Sequence, residues 1–449
     1  MVVHNSKVLL QLVFVIVVFL PITVFAYDYY YDQKPLFLTP YLKAGKICQA
    51  QQLAQTKVGG RTSYSGYFTT EESCGNNLFL WFFPAQNDWD SAPVLLWLNG
   101  GPGSTSMIGL FTEIGPWNYC KSAGLVDNPY TWTTDHNVIF LDQPVGTGFS
   151  FTEKGCYANN LTEVSRNIYS ALIQFFNMFP NLRKNVFFIT GESFAGHYIP
   201  ALAVEIHEKN LVSDLKINLV GILVGNAYID TACVDPSDLE FELGIIDERR
   251  REEFKEFQAK VNIALKNENY TAAANVHITP DTSGLTNAYN ILYDEDRSNS
   301  LFDFTTFIKD IKTRNLIHVG YTPFDSGTAV VGLKLQVEVY KSQAHSVEFL
   351  LQTRQYVVGF YTGQLDTVVP VSSVSCVLRS LVWEGSAEFL NSNHTPWRVS
   401  GRLAGWINTA GNLLNIVVRA AGHFVPTDQG QAALNMLKTV VSSRPGNLT

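Results

Sequence analysis

The chain has 449 residues, 46% hydrophobic and 16% charged, with a formal net charge of −8 and a pI near 5.6. That balance allows a large buried core and excludes a disordered chain. An acidic chain with no basic tail also excludes nucleic acid as the expected partner. Length alone would suggest about three domains, but α/β folds often run longer as one unit, and no internal repeat divides the chain.

In chain order, the first signal is a leader. Lys7 precedes an apolar run from Val8 to Phe19, followed by Pro21 and Val24-Phe25-Ala26. This reads as a signal peptide over residues 1–26, cut after Ala26, rather than an uncleaved anchor. No later run is long and apolar enough to span a bilayer, so no membrane span is expected after its removal. The Tyr27-Asp-Tyr-Tyr-Tyr-Asp32 cluster reads as a flexible new N-terminus.

An opening hairpin is expected from Arg61 to Thr70 and Asn77 to Phe83. Val94 to Leu98 reads as a buried strand running into Asn99-Gly-Gly-Pro-Gly103, where glycines let backbone approach a substrate closely. A phosphate-loop reading fails because no Lys-Ser or Lys-Thr pair follows. Val138 to Leu141 is a further strand, and Val164 to Phe179 has the spacing of an amphipathic helix.

The strand Val186 to Thr190 ends in Gly191-Glu-Ser-Phe-Ala-Gly196. A serine at a tight strand-to-helix turn is lifted clear of the sheet, so Ser193 is the candidate nucleophile. Ala195 stands where the usual Gly-x-Ser-x-Gly pattern has its second glycine, and Gly196 follows it. The N–H groups of Gly101 and Phe194 are the expected oxyanion hole. His197 is a rival base, set aside because its helix position carries it away from the turn.

Ile217 to Val224 is another strand, after which the rhythm breaks. Residues 227–354 read as an inserted helical cap between two parts of one core, 27–226 and 355–449. The charge run Asp247 to Glu256 is the solvated face of a helix in that cap. Strands Tyr356 to Tyr361 and Leu414 to Val418 each end in a glycine turn, one leading to Asp366 and the other to His423. Singly, an aspartate and a histidine in such turns are ordinary loop residues. Together they give the chain order serine, acid, histidine that hydrolases of this architecture require. His423 would take the Ser193 proton and pass it to the leaving amine, with Asp366 holding the imidazole.

With these motifs in order, the chain resembles the serine carboxypeptidases, most closely the vitellogenic carboxypeptidase-like branch. Trp97-Leu-Asn-Gly-Gly-Pro-Gly103, Asp142-Gln-Pro-Val-Gly-Thr-Gly-Phe-Ser150, Gly191-Glu-Ser193, Gly363-Gln-Leu-Asp366 and Gly422-His423 carry the resemblance, which runs over nearly the whole mature chain. It implies an α/β-hydrolase fold: a mixed, mostly parallel sheet flanked by helices, with the cap inserted. It also implies that Asn99, Gly100, Glu113 and Glu192 bind the free carboxylate of a substrate's last residue. Two crowded carboxyl groups would share a proton, so activity is expected to favour acid. Where many relatives have a cysteine after Gly-Pro-Gly, Ser104 stands here, so the disulfide tied to that position is expected to be absent.

The expected activity is hydrolysis of the C-terminal peptide bond of peptides and proteins through an acyl-enzyme, with no cofactor and no metal. Acyl transfer to an alcohol and a binding protein that kept only the fold are the alternatives. A leader directs the chain to the secretory pathway, to the exterior or the lysosome. In that oxidising route Cys48, Cys74, Cys120, Cys156, Cys233 and Cys376 read as an even disulfide set whose pairing the sequence does not choose. Sequons at Asn160, Asn269 and Asn393 are expected glycan sites, and a fourth at Asn447 lies too near the end to count. The resemblance leaves a homodimer open.

Overall fold

The structure is a computed structural model that describes residues 34–276, 287–294, 300–446 and 448. The expected signal peptide, the Tyr27–Asp32 cluster and Asn447 lie outside the described residues.

The strands in chain order are β1 (Gln55–Val58), β2 (Arg61–Glu71), β3 (Asn76–Phe83), β4 (Val94–Leu98), β5 (Trp117–Cys120), β6 (Gly124–Asp127) and β7 (Asn137–Leu141). They continue as β8 (Phe151–Thr152), β9 (Phe187–Glu192), β10 (Leu219–Gly225), β11 (Val357–Gly363), β12 (Thr395–Val399), β13 (Arg402–Ala410) and β14 (Leu413–Val418). One sheet runs β1-β2-β3-β7-β4-β9-β10-β11-β14-β13-β12, with β8 beside β3 and β5–β6 as a separate hairpin. The six strands from β7 to β14 are parallel, and antiparallel strands flank them on both sides. This is the α/β-hydrolase architecture expected from the sequence.

The parallel strands are buried on both faces, which is why they read as unbroken apolar runs rather than alternating ones. Alternate residues feed two cores. Leu96, Ile189, Ile222, Val358 and Phe360 face one layer, with the Leu161–Met178 and Ala195–Val212 helices. Leu95, Trp97, Phe188, Leu223, Val357 and Val418 face the other, with the Gly430–Ser442 helix.

The Leu161–Met178 helix starts three residues before its apolar pattern does, because Asn160 caps it. Asn160 Oδ1 accepts from Glu163 N at 2.9 Å, and Glu163 Oε2 accepts from Asn159 N at 2.9 Å. The edge pair β12–β13 was not anticipated. Its sequence mixes glycine, polar and charged residues, and β12 lies largely exposed, so no apolar run marks it.

Between β10 and β11 the chain forms short helices and one long one, Glu248–Lys266. The expected charge run lies on that long helix. Asp247 caps its start, and Arg249–Glu253 and Arg251–Asp238 ion pairs lie on its outer side, while Phe254 and Val261 are buried. The last helix of the segment, Ala344–Thr353, packs on Ala195–Val212 under the sheet, where Phe349 meets His207 edge-on.

Four of the six cysteines pair, as Cys74–Cys156 and Cys233–Cys376. The first bridge ties the β2–β3 turn to the segment after β8. The expectation of a fully paired set is corrected: Cys48, in the Ile47–Ala54 helix, and Cys120, at the end of β5, are exposed thiols with no sulfur opposite them.

Candidate active site

Because β4, β9, β10, β11 and β14 run parallel, their carboxyl ends share one edge of the sheet. The loops that follow, at Asn99, Ser193, Asn226, Asp366 and His423, therefore gather there. β9 ends at Glu192, Ser193 takes φ +61°, and a helix begins at Ala195. A left-handed serine is strained by about 1–3 kcal/mol and persists only where its neighbours fix it. Here Ser193 N donates to Gly225 O at 2.9 Å, and Ser193 O accepts from Gly196 N and Tyr228 N, each at 2.9 Å. The departure from the usual motif has a steric cause. A Cβ on residue 196 would lie 2.6 Å from Tyr228 O, so the glycine is needed there.

His423 Nδ1 and Asp366 Oδ2 are 2.8 Å apart, and both side chains are buried. Asp366 accepts three further bonds: Asn226 Nδ2 at 2.5 Å, Val368 N at 2.8 Å and Val369 N at 3.2 Å. These donors fix the orientation of the carboxylate. Asn226 was missed by sequence reasoning. Its signal is the Gly225-Asn226 step at the end of an apolar strand, where Asn226 also has a positive φ of 41°. The Ser193 hydroxyl makes no hydrogen bond among the described residues, so the acid–histidine pair is assembled while the serine–histidine link is not made. Such links are often loose without substrate.

On the other side of Ser193 lies a buried carboxyl cluster. Asn99 Nδ2 donates to Glu192 Oε1 at 2.8 Å, while Trp97 Nε1 and Gly109 N hold Asn99 Oδ1 at 2.8 and 3.1 Å. Glu113 ends the Gly109–Glu113 helical turn, fully inside. Among the described residues, both of its carboxyl oxygens and Oε2 of Glu192 have no hydrogen-bond partner. Two ionised carboxylates buried without donors would be costly, and a proton held between them would supply the missing donor. Burial accordingly pushes Glu113 up to about 7, and burial together with the neighbouring Glu113 raises Glu192 well above its ordinary value.

The glycine turn meets the elbow directly. A Cβ on residue 100 would lie 2.4 Å from Phe194 N, so only glycine lets the two backbones touch. Neither Gly101 N–H nor Phe194 N–H donates to a protein acceptor among the described residues. Asp142 holds this turn in place, accepting from Thr105 Oγ1 at 2.5 Å, Ser106 N at 3.1 Å and Phe149 N at 2.8 Å. Burial lifts its carboxyl to about 6.

His197 is fully buried, stacked on Phe194 at 4.4 Å with Nδ1 on Tyr228 O at 2.6 Å, and burial lowers it to about 4. It supports the elbow from below and does not reach its tip. Among the described residues no group of three or more His, Cys, Asp or Glu side chains could hold a metal ion. Asn269 and Asn393 are exposed, whereas Asn160 is half-buried at its helix cap.

The serine carboxypeptidase family pattern matches residues 54–443. The chain belongs to the serine carboxypeptidase family. It is 37% identical over 421 residues to a venom serine carboxypeptidase of Apis mellifera, covering 90% of each chain. It is 36% identical over 432 residues to a probable serine carboxypeptidase of Homo sapiens (91% and 90% covered). With the vitellogenic carboxypeptidase of Aedes aegypti it shares 35% over 424 residues (90% and 89%). Among solved structures, a prohormone-processing carboxypeptidase of Saccharomyces cerevisiae superposes with a TM-score of 0.75 at 22% identity, covering 86% of this chain and 95% of that one. The likeness of that structure is one of fold.

Proposed function

We propose that this serine carboxypeptidase hydrolyses the last peptide bond of peptides and proteins through an acyl-enzyme on Ser193, and does so best in acid. Ser193 Oγ attacks the scissile carbonyl as its proton passes to His423 Nε2. Asp366 and Asn226 keep Nδ1–H facing the carboxylate and stabilise the imidazolium. The oxyanion forms against the N–H groups of Gly101 and Phe194. Nε2–H then protonates the departing amine, and water admitted to the site releases the acyl group.

The observation that carries the reading is the buried Asn99–Glu113–Glu192 cluster beside the elbow. A protonated carboxyl and an asparagine amide, with Gly100 N–H, donate to a substrate's terminal carboxylate, which places the last peptide bond over Ser193. An endopeptidase has no use for such a group. Purified protein given a blocked dipeptide at pH 5 should release the free last amino acid, and Ser193→Ala should release none. Release by Ser193→Ala at the wild-type rate would defeat the proposal.

Two disulfides, exposed sequons at Asn269 and Asn393, and relatives named for venom and vitellogenesis support a secretory route, with glycans at Asn160, Asn269 and Asn393. Mass spectrometry of secreted protein before and after glycosidase tests each site.

A further inference from the structure

The loops bearing Asp366 and His423 are held by a piece of the insertion between β10 and β11. Thr367 N and Oγ1 both donate to Ala288 O, at 3.1 and 3.0 Å, and Ile291 N donates to Leu365 O at 3.2 Å. His423 N donates to Tyr289 O at 2.6 Å, and the Tyr289 ring lies 5.4 Å from the imidazole and 5.0 Å from Phe424. The segment is stiffened by its own asparagines. Asn287 Oδ1 accepts from Tyr289 N and Asn290 N, at 2.9 and 3.2 Å, and Asn290 Oδ1 accepts from Leu292 N at 3.0 Å.

Asp428 closes the arrangement. Its Oδ2 accepts from Gly422 N at 2.7 Å and from Asn290 Nδ2 at 2.9 Å, while Oδ1 accepts from the Tyr293 hydroxyl. One carboxylate thus joins the residue before His423 to both a buried asparagine and a tyrosine of the insertion. Nothing in the acyl-transfer steps uses Asp428, and its carboxylate is spent on this junction.

We propose that the Asn287–Tyr293 segment, latched through Asp428, positions His423 for proton transfer, making Asp428 and Tyr293 positioning residues of the reaction. The latch sets the backbone at residues 422–423, and through it the distance from Nε2 to Ser193 Oγ. The carboxylate-binding groups sit on other loops, at Asn99, Glu113 and Glu192. Asp428 reaches the Glu113 turn only through its charge and the neighbouring Thr427–Thr112 bond, so loosening the latch acts first on the chemical step, and KM is compared at pH 5. The inference rests on the acyl-enzyme reading for its rate assay alone.

The test uses the full mature chain as wild type, Asp428→Asn, Tyr293→Phe and the double variant. In Asp428→Asn the charge is lost and the amide N–H turns to the Tyr293 hydroxyl, which then accepts, so the bonds from Gly422 N and Asn290 Nδ2 lose their charge assistance and the latch loosens. The expected result is a kcat lower by about 10–100-fold with KM within about twofold, since small misplacements of reacting groups cost about that much. Labelling of Ser193 by a fluorophosphonate should slow by a similar factor. Tyr293→Phe, which removes a single hydroxyl and keeps the ring, should lower kcat by about 3–10-fold. The double variant should match Asp428→Asn within about twofold, because both act on one contact.

A kcat within twofold of wild type in Asp428→Asn, a loss carried by KM alone, or a double variant losing the product of the two singles would overturn the latch. Should the wild type label with fluorophosphonate yet release no amino acid from peptides, the carboxypeptidase reading fails and the labelling rates still decide the latch. Should it do neither, the low-field Nδ1–H resonance of His423 decides. Broadening or loss in Asp428→Asn supports the latch, and an unchanged resonance removes it.

Discussion

Replacing Glu113 by glutamine isolates the shared proton. Burial lifts the Glu113 carboxyl from 4.5 to about 7, and Glu192 beside it is raised as well. On the proposed reading, in acid the pair holds protons it can donate to a substrate carboxylate, and above neutrality it carries charge where that carboxylate would sit. Two unit charges about 4 Å apart repel by about 4 kcal/mol at an effective dielectric of ~20. Proton linkage sets a lower ceiling, about tenfold or ~1.4 kcal/mol per pH unit above the pKa. The wild-type KM for a blocked dipeptide should thus be level from pH 4 to about 6 and about tenfold higher near pH 8. Glu113→Gln keeps the size and a donor but cannot ionise, so its KM should vary by less than about threefold and fall below the wild-type value at pH 8.

The same substitution carries a stability sign. Between pH 4.5 and about 7 the folded chain keeps a Glu113 proton that the unfolded chain has released. Stability is therefore full below pH 4.5 and lower by about 3 kcal/mol once pH has risen through 7. Glu113→Gln should melt roughly 2–5 °C above wild type at pH 7.5 and no higher at pH 4.5. A wild-type KM flat from pH 4 to 8, or a glutamine variant whose KM still climbs, refutes the shared proton.

Three further outcomes are expected. Asn226→Leu removes a donor from Asp366 at the buried pair, and should cut kcat by about 10–100-fold with KM within about twofold. Steady-state kinetics at pH 5 decide it, and an unchanged kcat would show that Val368 N and Val369 N hold Asp366 unaided. Asp142→Ala orphans Thr105, Ser106 and Phe149 as donors and should cost about 2–4 kcal/mol in chemical denaturation; under 1 kcal/mol would mean the glycine turn is held otherwise. Thiol titration of native protein should find two reactive groups, Cys48 and Cys120, and none or six would contradict the pairing.

The parallel strands were legible because burial on both faces leaves an uninterrupted apolar run, and their ends at residues 98, 192, 363 and 418 carry the glycine turns that mark function. The Asp366–His423 contact followed from that order, since parallel neighbours must end together. What escaped was held by groups whose partners are remote in sequence. Asn226 meets Asp366 across 140 positions, and Asn290 meets Asp428 across 138, and neither pair leaves a local pattern. β13 escaped for a different reason, because its burial comes from the strand pair it joins rather than from its own composition. The cysteines misled because an even count says nothing about which thiols face each other.

Carboxylate recognition and the Ser193 nucleophile are tested together by comparing a blocked dipeptide with its C-terminally amidated twin at pH 5, with and without a fluorophosphonate. Release of the last residue from the free acid should be at least about tenfold faster than from the amide, and absent after the reagent, because a neutral amide forgoes the charge-assisted bonds to Asn99 and the Glu113–Glu192 pair. Equal release from the two peptides would contradict recognition of the terminal carboxylate, and release that survives the reagent would contradict Ser193 as the nucleophile.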